Sequence, residues 1–144
     1  MATAQTLYNR EVLALATSLA RWPLVAAFPM QGEARSALCG SRVALGLAVD
    51  GAGRIEQIGL QVQACAIGQA SAALFAQTAQ GRNLAEIEAA LTALTTWLEH
   101  GGNLPDWPGL GAIAAARDYP ARHGAVMLAW QAARDALFTA AKPG

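Results

Sequence analysis

A pair of alternating segments on either side of a glycine-rich turn constrains the fold more than any other feature of this sequence. In each segment, apolar residues alternate with other residues. The alternating apolar side chains of the first segment, residues 42–50, are Val43, Leu45, Leu47 and Val49. Those of the second segment, residues 56–63, are Ile58, Leu60 and Val62. The turn residues between them are Asp50, Gly51, Ala52 and Gly53. A period of two is that of a half-buried strand, so the sequence predicts an antiparallel β-hairpin.

The region before the hairpin is predicted to hold one helix and one strand. Residues 5–22 carry apolar side chains at alternating spacings of four and three, which is typical of one face of an amphipathic helix, and Pro23 ends it. The stretch 29–40 is less regular, and a short edge strand is predicted there before Cys39.

Helices are predicted after the hairpin. Residues 68–80, many of them small, are predicted to form a first helix. Asn83, with Glu86 three positions later, is a capping signal for a second helix. A short helix is predicted over 110–116, and Pro120 begins the last one. The apolar stripes of the second and last helices are Leu84, Ile87, Leu91, Leu94 and Leu98, and Val126, Trp130, Ala133 and Leu137.

The four tryptophans are predicted in two environments. Trp22, Trp97 and Trp130 fall on or beside apolar stripes, so we expect them in the core. Trp107 lies between two prolines, and we expect it at the surface.

The order of the elements predicts an α+β fold, in which a small antiparallel sheet of two or three strands packs with four or five helices. We expect one domain over residues 1–144, because a chain of this length buries most of its surface in a single core. Ten basic and ten acidic side chains argue against nucleic-acid binding. Polar residues and Pro23 interrupt the apolar region 12–28, so no membrane span is predicted. Two cysteines and no recognisable leader favour a cytoplasmic protein.

The two cysteines are predicted to be neighbours. Facing residues of an antiparallel hairpin have a constant sum of residue numbers, and a turn centred between Gly51 and Ala52 sets that sum at roughly 103. The numbers of Cys39 and Cys65 add to 104. Cys65 also precedes a helix start, whose free amides at residues 68–71 favour a thiolate. Both cysteines are therefore candidate metal ligands.

Two other interpretations of the cysteine pair stay open. Free cysteines are among the most buried residue types, and the pattern alone favours two small buried side chains over a metal site. The third interpretation is a redox switch closed by a disulfide between Cys39 and Cys65.

Two thiolates do not complete a tetrahedral zinc site, so further donors are needed. His123, at the start of the last helix, is a candidate third ligand. Asp118 is a candidate oxygen donor, although an Asp close to a proline is more simply a turn residue. Ser41 could form a hydrogen bond to the site. The sequence has no phosphate-binding loop, catalytic triad or paired carboxylates, so no enzymatic activity is predicted.

Five segments together resemble a known family. They are ALCGSR (37–42), VD (49–50), ACAIGQAS (64–71), QGRNLAEIEA (80–89) and PARHGAVMLAW (120–130). From Tyr8 to about Leu137, the chain is similar to the NifU/IscU/SufU-type iron-sulfur cluster assembly scaffold proteins, and most similar to the SufU branch. The resemblance implies an α+β scaffold fold, and a site of three cysteines and an aspartate that binds zinc or a nascent iron-sulfur cluster. It also implies a cysteine desulfurase and apo-protein clients as partners.

The chain departs from the family pattern at two ligand positions. Cys39 and Cys65 match the first and second family cysteines. Ser41 stands where the family has its aspartate, and Ala125 stands where it has its third cysteine. The resemblance therefore implies a divergent scaffold that binds iron, zinc or a nascent cluster near Cys39 and Cys65. His123 lies two residues before position 125 and is a candidate replacement ligand that the family pattern itself does not supply. The alternatives are a partner-binding or regulatory homologue without a cofactor, and the redox switch.

One feature of the sequence bears on the oligomeric state. Several helix faces are rich in alanine, and such faces could pack against a second copy in a homodimer.

Overall fold

Three antiparallel strands form one sheet in the computed structural model, which describes residues 8–25, 27–37 and 40–141. The strands are β1 (Met30–Arg35), β2 (Arg42–Val49) and β3 (Ile55–Gln63), in the spatial order β1-β2-β3. The α-helices of the described residues are α1 (Arg10–Ser18), α2 (Ala66–Thr78), α3 (Leu84–His100) and α4 (His123–Ala141). Shorter 3-10 helices span Leu19–Arg21, Leu110–Asp118 and Pro120–Arg122. The predicted α+β fold, its hairpin and its edge strand are confirmed.

The register of the hairpin differs from the prediction by two residues. Pairs from Arg42 with Gln63 to Ala48 with Gln57 have a residue-number sum of 105, not roughly 103. One cause is the turn, in which the amide of Asp50 donates to the carbonyl of Arg54 (2.9 Å), so the turn is centred on Ala52. The other cause is a bulge at the Ala48/Val49 step, which leaves Glu56 without a partner on β2.

The ladder between β2 and β3 ends at the pair Arg42 and Gln63, before the positions of the two cysteines. Cys39 lies outside the described residues, so its proximity to Cys65 stays a prediction. The cysteine sum of 104 is one away from the observed 105, as it was from the predicted value of roughly 103. The described ladder ends before both positions, however, so strand pairing gives no support for their proximity.

The hairpin turn is held by one carboxylate. Oδ1 of Asp50 accepts hydrogen bonds from the amides of Ala52 (2.8 Å) and Arg54 (3.0 Å). These bonds stabilise the charged form, so they hold the pKa of the Asp50 carboxyl below its ordinary value of 3.8, with the Arg54 amide as the largest cause.

Strand β1 is the edge strand, and α4 packs across it. A Cβ on Gly32 would overlap the backbone carbonyl of Ala132, so only glycine permits this close approach. The amide of Glu33 donates to Oδ2 of Asp135 on α4 (3.1 Å). An edge amide is thereby satisfied within the chain rather than by a further strand.

The core forms between the sheet and the helices, with α2 at its centre. Nearly all of α2 from Ile67 to Ala76 is buried, and α2 packs against α1 and α4. The Asn83 cap is confirmed, because its Oδ1 accepts from the amide of Glu86 (3.0 Å). The predicted positions of α3 and α4 that are buried are Ile87, Leu91, Leu94, Leu98, Val126, Trp130, Ala133 and Leu137. No helix in the described ranges is both long and apolar enough to cross a membrane.

The prediction of a surface position for Trp107 is wrong. Its side chain is only 5% exposed, and its indole N–H donates to the carbonyl of Leu74 (3.0 Å). One face of its ring stacks on Phe75, with 5.6 Å between ring centroids. The loop after α3 folds back over α2, and an aperiodic loop carries no pattern that would indicate this. Trp97 and Trp130 are buried, as predicted.

Candidate functional site

Three segments that are far apart in sequence meet at one end of the sheet. Ser36 follows β1 and lies so close to Gly124 of α4 that a Cβ on Gly124 would overlap the Ser36 hydroxyl. Gly68, in the first turn of α2, lies against Ala125 of α4, since a Cβ on Gly68 would be 3.2 Å from the Cβ of Ala125. The β1–β2 connection, the start of α2 and the start of α4 are therefore neighbours.

A buried hydrogen bond holds α2 and α4 together beside this point. The hydroxyl of Ser71 donates to the carbonyl of Val126 (2.6 Å), and both residues are buried. Small residues at the crossing permit this short approach, because each glycine removes the Cβ that would separate the backbones.

Cys65 occupies the N-cap position of α2. Its backbone is extended (φ −64°, ψ 170°), and its carbonyl accepts from the amide of Gln69 (2.9 Å). Its side chain forms no capping hydrogen bond and is partly buried. The side chain packs against the hydrophobic core, and it lies at the N-terminus of a helix, where partial positive charge stabilises anions.

The connection between β1 and β2 is closed by its own backbone. The amide of Ser36 donates to the carbonyl of Ser41 (2.8 Å), and the amide of Gly40 donates to the carbonyl of Ser36 (3.0 Å). Ser41, at the family's aspartate position, is 4% exposed. A neutral hydroxyl is therefore enclosed where the family pattern carries a charge.

Ala125, at the position of the third family cysteine, is 2% exposed and contacts the first turn of α2. Gly68 lies three residues after Cys65, which is the spacing of neighbours on one helix face. A side chain at position 125 thus lies beside the helix turn that Cys65 begins. In this chain a methyl group fills that place.

His123 is held by the 3-10 helix Leu110–Asp118. Its Nε2 lies 2.7 Å from the carbonyl oxygen of Arg117. A carbonyl only accepts, so Nε2 is the donor in this hydrogen bond. Two positions along a helix correspond to a rotation of about 200°, so His123 and Ala125 leave α4 on nearly opposite sides. Nδ1 is the ring atom that remains for a metal.

The described residues bring together the chain segments of the site, but they do not bring the predicted donor side chains together. Asp118 is exposed at the end of its 3-10 helix. Among residues 8–25, 27–37 and 40–141, no group of three or more His, Cys, Asp or Glu side chains is arranged to hold a metal ion. Cys39 is not in those ranges, so the predicted pair of thiols is not tested.

Sequence reasoning missed the small residues that bring the segments together. Gly68, Gly124 and Ser36 create the close approaches, yet none carries metal chemistry. Gly68 and Gly124, each within the first turn of a helix, were the available signal, since glycine inside a helix is unfavourable unless close packing requires it.

The fold and this junction define a small α+β domain with a cysteine at a helix N-terminus beside two other chain segments. The sequence model of the family described as NifU-like N terminal domain matches residues 23–139. The chain therefore belongs to this family.

Solved structures agree with the family assignment. The N-terminal part of a NifU-like protein from Brucella abortus is 29% identical with a TM-score of 0.84, and the match covers 93% of this chain and 94% of that one. A protein of Fervidobacterium islandicum, described as an iron-sulfur cluster assembly scaffold for the SUF system, is 18% identical with a TM-score of 0.80. That match covers 94% of this chain and 99% of the other, and at this identity it shows the shared fold alone. None of the curated proteins matches the chain.

Proposed function

We propose that this protein acts in iron-sulfur cluster assembly as a scaffold that binds iron, zinc or a nascent cluster near Cys39 and Cys65. The observation that carries the proposal is the junction of three segments, with Ser36 against Gly124 and Gly68 against Ala125. These segments carry the positions of the family's ligands, including Cys65 at the start of α2. Membership of the NifU-like family and the fold shared with a SUF-system scaffold support the same role.

The missing ligands make the proposed binding labile. Serine and alanine at positions 41 and 125 remove one carboxylate and one thiolate, and thus two negative charges that would compensate a metal ion. Two protein thiolates leave coordination positions open. A partner's donor atoms can complete them, which suits a protein that receives sulfur from a cysteine desulfurase and passes sulfur or a cluster to apo-protein clients in the cytoplasm.

His123 is part of the proposal as a third ligand through Nδ1. The hydrogen bond from Nε2 to the Arg117 carbonyl orients the ring and leaves Nδ1 as the ring nitrogen for a metal, which is the arrangement of many metal-binding histidines. Its position on α4, opposite Ala125, means that it would approach the metal from a direction different from that of the family's third cysteine.

The metal content of anaerobically purified protein tests the proposal. We expect metal in the parent protein and its loss in Cys39→Ser and in Cys65→Ser, with a smaller loss in His123→Ala. Thr92→Ala, on the exposed face of α3, is the matched control and should retain metal. Metal at the parent stoichiometry in both cysteine variants, or no metal in the parent after anaerobic loading with iron or zinc, would contradict the proposal.

A specific observation also favours a second function, that of a homologue that binds partners but no cofactor. Ser41 and Ala125 are both enclosed, so the missing ligand positions are packed with neutral side chains. This alternative predicts desulfurase binding without sulfur acceptance. Mass spectrometry after incubation with the desulfurase and cysteine distinguishes the two, because a persulfide on Cys39 or Cys65 excludes the alternative.

The redox switch is tested by counting free thiols in protein equilibrated with glutathione buffers from reducing to oxidising. A disulfide between Cys39 and Cys65 would remove both thiols together. Two titratable thiols under every condition would exclude the switch.

A further inference from the structure

A second candidate binding site lies at the opposite end of α2 from Cys65. A cavity of about 300 Å³ opens between the start of α3 and the loop after it. The 13 residues of α2 separate it from Cys65 by roughly 20 Å, at about 1.5 Å per residue. Its floor consists of Ala89, Ala90 and Ala93 of α3, with Pro105 from the loop. This site is independent of the function proposed above.

The Arg82 guanidinium is fixed at the wall of this cavity. It lies over the indole ring of Trp107, 3.9 Å from the ring centroid, and that indole also stacks on Phe75. The Nε of Arg82 donates to the carbonyl of Thr78 (2.8 Å). The stack and this hydrogen bond together hold the plane of the guanidinium, so little entropy is lost when it binds an anion.

The terminal nitrogens of Arg82 have no acceptor in the described part of the chain. The ion pairs recorded there join other residues, and the only hydrogen bond of the Arg82 side chain uses Nε. Two Nη groups therefore present N–H donors to the cavity. Their fork geometry matches the two oxygens of a carboxylate.

Two carboxylates line the same cavity. Glu86 is paired with Arg54, whose Nη1 lies 3.0 Å from its Oε1, so its charge is compensated. Asp106 is exposed and forms none of the ion pairs recorded among the described residues. The cavity thus offers one guanidinium and one uncompensated carboxylate. Repulsion from Asp106 disfavours a dianion such as phosphate, and a ligand with one positive and one negative group fits both charges.

We propose that this cavity binds a small zwitterion of the α-amino acid class. The ligand's carboxylate accepts hydrogen bonds from the Nη groups of Arg82, and its ammonium group faces Asp106. A short apolar side chain then covers the methyl groups of the alanine floor. Pro105 has a fixed φ angle, which restricts the backbone of the loop immediately before Asp106.

Calorimetric titration of the full chain with L-alanine tests the site, with propionate, propylamine and inorganic phosphate as probes that lack one part of the charge pattern. We expect millimolar binding of L-alanine and at least about tenfold weaker binding of each other probe, because hydrogen bonds to charged groups contribute about 1.5–3 kcal/mol each. No binding of L-alanine at millimolar concentration, or equally strong binding of propionate or phosphate, would overturn the proposal.

Two variants locate the site. Arg82→Gln should weaken L-alanine binding about tenfold or more, and Asp106→Asn should weaken it severalfold. Asp106 is exposed, so its variant keeps the test valid if Arg82→Gln lowers stability. Arg10→Gln and Asp118→Asn, both exposed and distant in sequence, are the matched controls. Unchanged affinity in Asp106→Asn, or an equal loss in the controls, would refute the assignment.

Discussion

Gly68 and Ala125 lie in direct contact, so the first turn of α2 packs against the first turn of α4 without intervening side chains. A Cβ on Gly68 would be 2.7 Å from the Cβ of Ala64 and 3.2 Å from that of Ala125. This contact places position 125, which carries a cysteine in the family pattern, beside the helix that Cys65 begins. The alanine at this position supplies no ligand atom.

The contact predicts that a single methyl group at position 68 lowers stability. Gly68→Ala should reduce the free energy of unfolding by about 1–3 kcal/mol, because the added Cβ overpacks the junction. Gly111→Ala is the control, since a Cβ there meets nothing within 4 Å, and it should be neutral or slightly stabilising. Urea unfolding of the three proteins measures the effect. Equal midpoints for both variants would show that the junction tolerates the methyl group.

Restoring the third thiol should strengthen metal binding, if the proposed function is correct. Ala125→Cys adds a sulfur beside Gly68, and we expect at least about tenfold higher zinc affinity from the additional thiolate. The control is Ala129→Cys, which introduces an equally buried thiol one turn further along α4. Competition with a chromophoric zinc chelator gives the affinities. A gain shared by both variants would mean that an extra thiol anywhere on α4 is sufficient.

The Asp50 turn predicts how stability depends on pH. Its carboxyl has a lower pKa in the folded protein than the ordinary 3.8, chiefly because of the Arg54 amide. A depressed pKa contributes stability that is present above the unfolded value and is lost as pH falls through the folded value. Asp50→Asn should therefore lower stability at neutral pH and converge with the parent protein in acid.

Urea unfolding at a series of pH values from neutral to acidic measures the effect of Asp50→Asn on stability. Asp118→Asn, which changes an exposed carboxyl elsewhere, should follow the parent protein at each pH. If the free energies of unfolding of the parent and Asp50→Asn differ by a constant amount from neutral to acidic pH, the result would argue against a role for the charge.

The buried position of Trp107 predicts a large loss when its side chain is truncated. Trp107→Ala removes the stack on Phe75 and the support of Arg82, and should cost about 3–5 kcal/mol of unfolding free energy. Leu104→Ala is a control in the same loop, where the side chain is 36% exposed, and should cost less than about 1 kcal/mol. Thermal and urea unfolding measure both. Similar small losses would indicate that the loop is not part of the core.

Local sequence patterns were sufficient to predict the helices and strands. The cap formed by Asn83 and the amide of Glu86 depends on residues three apart, and the stripe of α4 depends on one helical period. The hairpin was predictable for the same reason, but its register was not. The bulge at Glu56 and the turn centred on Ala52 depend on backbone bonds that alternation does not encode.

Some features of the candidate site were likewise predictable from the sequence, and others were not. The sequence alone determined the order of strands and helices, the number of thiols, and the substitution of Ser41 and Ala125 for two expected ligands. Only the tertiary structure decided that Ser36 meets Gly124, that Gly68 meets Ala125 and that Arg82 lies over Trp107. Periodicity reports which face of an element is buried. It does not report which distant residue covers that face, because the packing of the whole core selects the partner.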